Sequence, residues 1–319
     1  MASASRTFGF ETTTGEVLDG LDLTGRVAVV TGASGGLGAE TARALASKGA
    51  AVTIGCRDVA KGEAAAEAIR TSTGNDKIAV AELDLLSHDS IRRCAREVLA
   101  SHPKLDLLID NAGVMACPLE RSSQGWELQF ATNHVGHFLF TALLVPALEA
   151  ASPSRVVVLS SAGHQRGPVD FDDLHFERKP YEKWEAYGQA KSANALFAVE
   201  LDRRLRDRGV RAFAVHPGAI GTELSRHLTR DDIVELLERV ENALGGLKAV
   251  EAGAATSVWA ATAPELDGKG GIYLEDCGIA GAAGSDSKAM GFLPHAVDPE
   301  LAARLWSVTE ELLGERFDV

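Results

Sequence analysis

The chain predicts an α/β fold, a doubly wound parallel sheet of about seven strands with helices on both faces. Three observations predict it. From Arg26 onward, short β-branched runs alternate with longer segments of helical spacing. The short runs are near-continuously apolar, as strands covered on both faces should be. The first of them leads straight into a glycine-rich turn and then a helical pattern. Parallel strands joined this way need right-handed crossovers, which place helices on both sides of the sheet.

Residues 1–22 are Thr/Gly/Glu-rich and weakly patterned, and read as an N-terminal arm; one domain spans 23–319. Within it the strand-like runs are Val27–Thr31, 52–56, 78–84, 105–111, 155–160 and Val210–His216, with a last short strand at 271–273. Between them, 37–48, 59–72, His88–Ser101, 124–150 and 186–208 are rich in Ala, Leu, Glu and Arg at helical spacing. Residues 229–243 read as an amphipathic helical excursion, followed by a helix at 248–261. In such sheets ligands bind beyond the carboxyl ends of the strands, so functional motifs should sit there.

Composition narrows the function. Of 319 residues 45 are acidic and 32 basic, a net charge of −13 that repels phosphate backbones and anionic lipid. Nucleic acid is therefore not an expected partner. The basic run Arg203-Arg204-Leu205-Arg206-Asp207-Arg208 sits at a helix end, where cations offset the dipole. Cys56, Cys94, Cys117 and Cys277 lie far apart without a CxxC pair, which argues against disulfides or structural zinc and suits a cytoplasmic protein. The N-terminus has no apolar core of a signal peptide. The greasiest stretch, 138–148, is interrupted by Thr141 and Pro146, and falls short of the ~20 apolar residues of a membrane span.

After the first strand comes Thr31-Gly32-Ala33-Ser34-Gly35-Gly36-Leu37-Gly38. Glycines let the backbone turn sharply and approach a pyrophosphate, and the helix N-terminus beyond supplies free N–H groups. The spacing is GxxxGxG, and Thr-Gly-x3-Gly-x-Gly resembles the short-chain dehydrogenase/reductase family, which implies a Rossmann fold and a nicotinamide dinucleotide. Gly32, Ser34, Gly36, Leu37 and Gly38 would then line the cofactor.

A carboxylate about 20 residues past the loop would accept from the ribose hydroxyls and repel a 2′-phosphate. Here Gly55-Cys56-Arg57 ends the second strand instead, and the Arg57 guanidinium can pair with a phosphate, with Ser34 adding a hydroxyl. NADP(H) is favoured over NAD(H), against the opposing carboxylate of Asp58. Asp84 and Leu85 close the third strand, where a carboxylate can accept from the adenine amino group. Asn111-Ala112-Gly113 closes the fourth and is similar to the family's Asn-Asn-Ala-Gly, with Asp110 in first position.

Tyr187-Gly188-Gln189-Ala190-Lys191 sets a phenol and an ammonium four residues apart, on one helix face. A tyrosine near pKa 10 is a poor base, but a lysine cation and an oxidised nicotinamide both favour the phenolate. Such a group can take a proton from an alcohol or give one to a carbonyl oxygen. The resemblance implies that Ser161, in Ser160-Ser161, bonds the substrate oxygen. It implies that Asn133 holds a water linking Lys191 to solvent. Pro217-Gly218-Ala219-Ile220-Gly221-Thr222 is similar to the family's Pro-Gly-x3-Thr; by resemblance Pro217, Gly218, Ile220 and Thr222 grip the nicotinamide and direct pro-S hydride transfer. Tyr187 and Lys191 would touch the cofactor as well as the substrate. A metal at His134 and His137 competes on their spacing of three, but no third ligand is in reach; two helix histidines near a packed face is the preferred reading, with no metal.

Ser161 and Tyr187 are 26 residues apart, leaving a substrate insert at about 167–185 with Phe171, Phe176, Tyr181 and Trp184. The excursion at about 222–247, carrying Leu228, Ile233, Leu236, Leu237 and Leu244, is by resemblance the lid; those side chains could equally be core contacts. Cys56-Arg57-Asp58 with Lys61-Gly62, the Phe171-Asp172-Asp173-Leu174 insert and the 268–277 tail resemble the retinol-dehydrogenase and WW-domain oxidoreductase group. The expectation is an NADP(H)-dependent oxidoreductase interconverting an alcohol and a ketone or aldehyde on a lipophilic small molecule. No WW module precedes residue 23 and no membrane partner is expected; a homo-oligomer would pair through the helices at 124–150 and 186–208. The other readings are a dinucleotide-sensing protein without turnover and a reductase of carbon–carbon double bonds.

Overall fold

In a computed structural model, which describes residues 7–244, 246–284 and 290–319, the predicted alternation forms a single sheet. The chain enters through α1 (Thr14–Val17). Strand β1 (Val27–Thr31) leads to α2 (Gly36–Ser47), β2 (Ala51–Cys56) to α3 (Val59–Thr73), and β3 (Ile78–Glu82) to α4 (His88–Ser101). β4 (Leu107–Asp110) is followed by α5 (Leu128–Phe130), a π-helical turn at Ala131–Val135, and α6 (Gly136–Ala150). β5 (Ser154–Leu159) passes through a 3-10 turn, Ala162–Arg166, to α7 (Lys183–Leu205). β6 (Val210–His216) precedes α8 (Arg230–Leu244) and α9 (Val250–Thr262); β7 (Ile272–Glu275), β8 (Gly278–Ile279) and α10 (Pro299–Leu313) follow.

The strands lie in the order β3-β2-β1-β4-β5-β6-β7-β8, all parallel but β8, which turns back antiparallel on β7. That accounts for the expected seven and adds a two-residue edge. Val29, Val30, Ile54, Ile109 and Val157 are fully buried, because helices cover both faces. One face packs against α1, α2, α3 and α9, the other against α4, α6, α7 and α10. Each fully buried Val or Ile contributes about 1.5–3 kcal/mol of transfer free energy.

Local chemistry sets the helix ends. The Asp58 carboxylate accepts from Lys61 N–H at the start of α3, and Gly74 in left-handed conformation ends it. Ser87 caps α4 by accepting from Ser90 N–H. The helix expected over 124–150 starts only at Leu128, because the buried Glu127 carboxylate accepts from the N–H groups of Gln129 (3.0 Å) and Phe130 (2.7 Å). Likewise Glu182 caps α7, which begins three residues before the predicted 186.

The structure adds to the sequence picture at three further places. The arm is docked onto the domain: Val17 and Leu18 are buried, and the Thr14 hydroxyl donates to the Glu40 carboxylate of α2 at 2.5 Å. Residues 1–6 of that arm lie outside the described residues. Helix α10, for which no helix was drawn, packs on α7, the helix on which oligomer contacts were expected. Its start, Asp298 capping with Pro299 in the first turn, and its Gly314 stop were the legible signal. The basic run is internally paired: Arg203 and Arg204 both donate to the buried Glu200 at 2.6 Å and 2.7 Å, and Arg204 stacks on Trp306. Among the described residues no helix is long and apolar enough to cross a membrane.

Candidate active site

After β3 the chain crosses back to lay β4 on the other side of β1, so the connections that leave the carboxyl ends of β1 and β4 run in opposite directions. A cleft of about 1150 Å³ opens there, where ligands of doubly wound sheets bind.

The glycine loop forms one wall. A Cβ on Gly32, whose φ is +66°, would sit 2.8 Å from the Ala112 Cα; one on Gly38 would sit 2.6 Å from the Gly32 carbonyl oxygen. Only hydrogen fits at either position, and α2 can therefore start hard against the sheet. Helix α2 begins at Gly36, with Ser34, Gly36 and Leu37 on the cleft surface. The donor set and the absence of side-chain bulk fit a pyrophosphate at a helix N-terminus.

At the end of β2, Arg57 is exposed and lines the cleft. Asp58, on the same cleft wall, also caps α3: its Oδ1 accepts from Lys61 N–H at 3.1 Å. That cap brings Lys61 into the first turn of α3 and onto the same cleft wall as Arg57. A second cation therefore stands beside Arg57, signalled by an aspartate three residues ahead of a lysine. Asp84 and Leu85 line the cleft below, with Asp84 Oδ1 accepting from Leu86 N–H at 3.0 Å. Asn111 donates from Nδ2 to the Thr31 carbonyl at 2.7 Å, tying the ends of β1 and β4, and Ala112 and Gly113 continue the wall.

Ser161, Tyr187 and Lys191 converge on one side of the cleft. The Ser161 Oγ accepts from Gly163 N–H at 3.0 Å. Burial pushes the Tyr187 phenol up to about 12, and a hydrogen bond from Ser161 opposes that rise. Lys191 donates to the Leu159 carbonyl at 2.9 Å, and its Nζ lies 5.7 Å from the Tyr187 ring centroid. Burial pulls its ammonium down to about 8. Burial thus disfavours the charged form of both groups, raising the phenol and lowering the ammonium. Asn133 does not reach the cleft wall. It is fully buried in the π-turn, where its amide brackets Val114, accepting from the N–H at 2.8 Å and donating to the carbonyl at 2.9 Å.

Opposite, Pro217, Gly218, Ile220 and Thr222 form the far rim. Thr222 caps the turn after it by accepting from Leu224 N–H. Gly218 has φ +94°, and a Cβ there would sit 2.8 Å from the Lys248 side chain, which is ion-paired with Asp276 at 2.5 Å. His216, unremarked in the sequence beyond its place before Pro217, accepts at Nδ1 from both Ala162 and Gly218 N–H (3.3 Å each).

The substrate end is apolar. Met115, Trp184, Leu224, Leu228 and Leu236 pack around Tyr187, and Ile233, Leu237 and Val240 of α8 also face the cleft. The side chain of Leu244 and residue 245 lie outside the described residues. Two ion pairs hold α8 over the cleft, Lys183–Asp232 at 2.5 Å and Arg166–Glu235 at 3.8 Å. Of the four aromatics in the insert, Trp184 alone lines the cleft. Phe176 and Tyr181 meet edge to face, Tyr181 donates to the Cys117 carbonyl, and Phe171 lies against Arg304 of α10. These three are not among the residues that line the cleft. His134 bonds Thr309 and His137 bonds Thr31, each at 2.9 Å. Among the described residues no group of three or more His, Cys, Asp or Glu could hold a metal.

The short chain dehydrogenase family model matches residues 26–172. Human retinol dehydrogenase 12 is 43% identical over 298 residues, 93% of this chain and 89% of that protein. A crystal structure of an uncharacterized Mycobacterium paratuberculosis protein superposes with a TM-score of 0.74 at 33% identity, covering 97% of this chain and all of that one. A Pseudomonas aeruginosa RhlG/NADP active-site complex gives 0.65 at 25% identity, covering 80% and 95%.

Proposed function

The chain belongs to the short-chain dehydrogenase family and is an NAD(P)-dependent oxidoreductase acting on CH–OH groups; we propose that it is NADP(H)-dependent and interconverts a lipophilic alcohol and its aldehyde or ketone, a retinoid-like molecule among the candidates. The observation that carries the reading is the convergence of Ser161, Tyr187 and Lys191 beside an apolar wall, at the carboxyl ends of strands that also carry the glycine loop.

Gly32, Ser34, Gly36, Leu37 and Gly38 would hold the pyrophosphate half of the cofactor, Arg57 and Lys61 a 2′-phosphate, and Asp84 and Leu85 the adenine. Asn111, Ala112, Gly113, Pro217, Gly218, Ile220 and Thr222 would flank the nicotinamide. When bound, the cofactor supplies or accepts the hydride.

The protein's own part is proton handling and orientation. A phenol held protonated by burial is suited to donating to a carbonyl oxygen, and Ser161 offers that oxygen a second partner. Lys191, on the next turn, favours the phenolate left behind and so limits the cost of that donation. Asn133 contributes by fixing Val114 rather than by touching substrate. Trp184, Met115 and Leu236 exclude water and place an apolar body against Tyr187. Together these support reduction with NADPH as the favoured direction. The RhlG/NADP complex supports the choice of NADP(H), and the retinol dehydrogenase likeness supports a lipophilic alcohol or its carbonyl as substrate.

Tyr187→Phe tests the assignment. Turnover of a lipophilic aldehyde with NADPH should fall by about 100-fold or more, with cofactor affinity kept. Substantial activity in that variant would remove Tyr187 from the chemistry. Product analysis that finds the carbonyl intact and a carbon–carbon double bond reduced would favour the other reductase reading.

A further inference from the structure

His137, itself buried with Thr31 and Asn133, projects from the first turn of α6 into a polar ring behind the cleft, outside the set assigned above. Its Nδ1 bonds the Asn133 carbonyl and its Nε2 the Thr31 hydroxyl, each at 2.9 Å. A carbonyl only accepts, so Nδ1 carries the proton and Nε2 is the bare acceptor. On the other side, Thr31 Oγ1 accepts from Asn111 N–H and Ala112 N–H, both at 2.9 Å. Those two bonds use both lone pairs, so the single hydroxyl proton must go elsewhere. The His137 Nε2 at 2.9 Å is the better acceptor than the Ile109 carbonyl at 3.4 Å. From Asn133 the ring returns through its amide to Val114, two residues beyond Ala112.

Every hydrogen-bonding direction in this ring is therefore fixed by a neutral His137, and the backbone of 111–114 is held from both ends. That segment walls the cleft next to the catalytic lysine: a Cβ on Gly113 would lie 3.8 Å from Lys191 Nζ and 3.1 Å from Asn133 Oδ1. A histidinium would place a second donor against a hydroxyl whose lone pairs are taken. Burial with the neighbouring Lys191 charge keeps the ring neutral, its imidazole pulled down to about 4 and the Asn133 contact alone opposing this.

We propose that His137 is a positioning residue, whose bare Nε2 orients the Thr31 hydroxyl and so fixes the 111–114 backbone against which the nicotinamide and Lys191 are aligned. The functional half rests on the oxidoreductase reading; the structural half does not.

Asn and Gln separate the two nitrogens. His137→Gln keeps an acceptor at the ε position, whereas His137→Asn keeps a donor near the δ position and leaves the Thr31 hydroxyl unmatched. Amide hydrogen exchange of the cofactor-free protein, read at Asn111 and Ala112, should rise about tenfold or more in His137→Asn and stay within about threefold in His137→Gln, as the loss of one buried hydrogen bond implies. With NADPH and carbonyl substrate, kcat should follow the same order, falling about tenfold in the Asn variant with KM within about threefold. Thr31→Val should abolish the difference between the two variants. Equal exchange in both, or a kcat loss without an exchange change at 111–112, overturns the proposal. If exchange behaves as expected while even the wild type turns over no alcohol or carbonyl, the ring stands and the oxidoreductase reading falls.

Discussion

Removing the guanidinium of Arg57 should separate the two nicotinamide cofactors. Arg57 is exposed on the cleft wall, so its pairing with a 2′-phosphate is screened by solvent; a charge-assisted bond worth about 1.5–3 kcal/mol when sheltered is trimmed to about 1 kcal/mol here. In Arg57→Ala, NADPH affinity should drop about fivefold. Lys61, exposed on the same wall and held there by the Asp58 cap, should be worth a similar amount. The double variant should lose more than either single one, up to about 30-fold, the shortfall from that figure measuring how strongly two cations on one phosphate couple. NADH lacks the phosphate and should bind all variants alike. The assay is a titration of nicotinamide fluorescence with each cofactor, repeated between about 50 mM and about 500 mM salt, where screening should weaken NADPH binding to the wild type but scarcely to the double variant. Parallel losses for NADPH and NADH would mean that Arg57 and Lys61 shape the loop rather than read a phosphate. No loss for either would refute the reasoning outright.

Two further outcomes follow from the same walls. Gly38→Ala puts a methyl 2.5 Å from Asn111 Nδ2 and 2.6 Å from the Gly32 carbonyl, so thermal unfolding without cofactor should show a loss of about 1–3 kcal/mol. Gly35→Ala, whose Cβ meets nothing within 4 Å, should change stability by less than about 0.5 kcal/mol, and equal losses would contradict the packing account. Asp110 is fully buried, and burial raises its carboxyl to about 8 although Thr141 donates to it at 2.7 Å. Its folded pKa lies above its unfolded one, so the stability it confers is complete below about pH 4 and drains away as pH rises towards 8, by up to ~1.4 kcal/mol per unit. Asp110→Asn should flatten that slope in urea unfolding between about pH 5 and 8; parallel curves would show that Asp110 is not the group titrating.

Much of this was open to reading in the chain itself, because its information is local. Glycine at 32, 36 and 38 after a β-branched run, and a tyrosine and lysine one helical turn apart, impose their geometry through short-range sterics and helix periodicity. The strand ends bearing Asp84, Asn111, Ser161 and Pro217 follow once the parallel sheet is accepted, since a doubly wound sheet gathers those ends at one edge. Near-continuous apolar runs identify the buried strands because helices cover both faces.

What only the tertiary structure decided depends on groups distant in sequence. Nothing local says that Arg57 and Lys61 end on the same cleft wall as the glycine loop and Thr222. Three of the insert's aromatics turn into the fold because Cys117 and Arg304, 64 and 133 residues from Tyr181 and Phe171, are there to receive them. The pKa order of Tyr187 and Lys191 is likewise a property of burial, which removes the water that would otherwise leave each near its ordinary value. His137 shows the same division: its spacing from His134 suggested a metal, whereas packing set each imidazole against its own hydroxyl, Thr309 for one and Thr31 for the other. Residue type fixed which atoms could bond, and the distance between chain segments in the folded state chose which of them did.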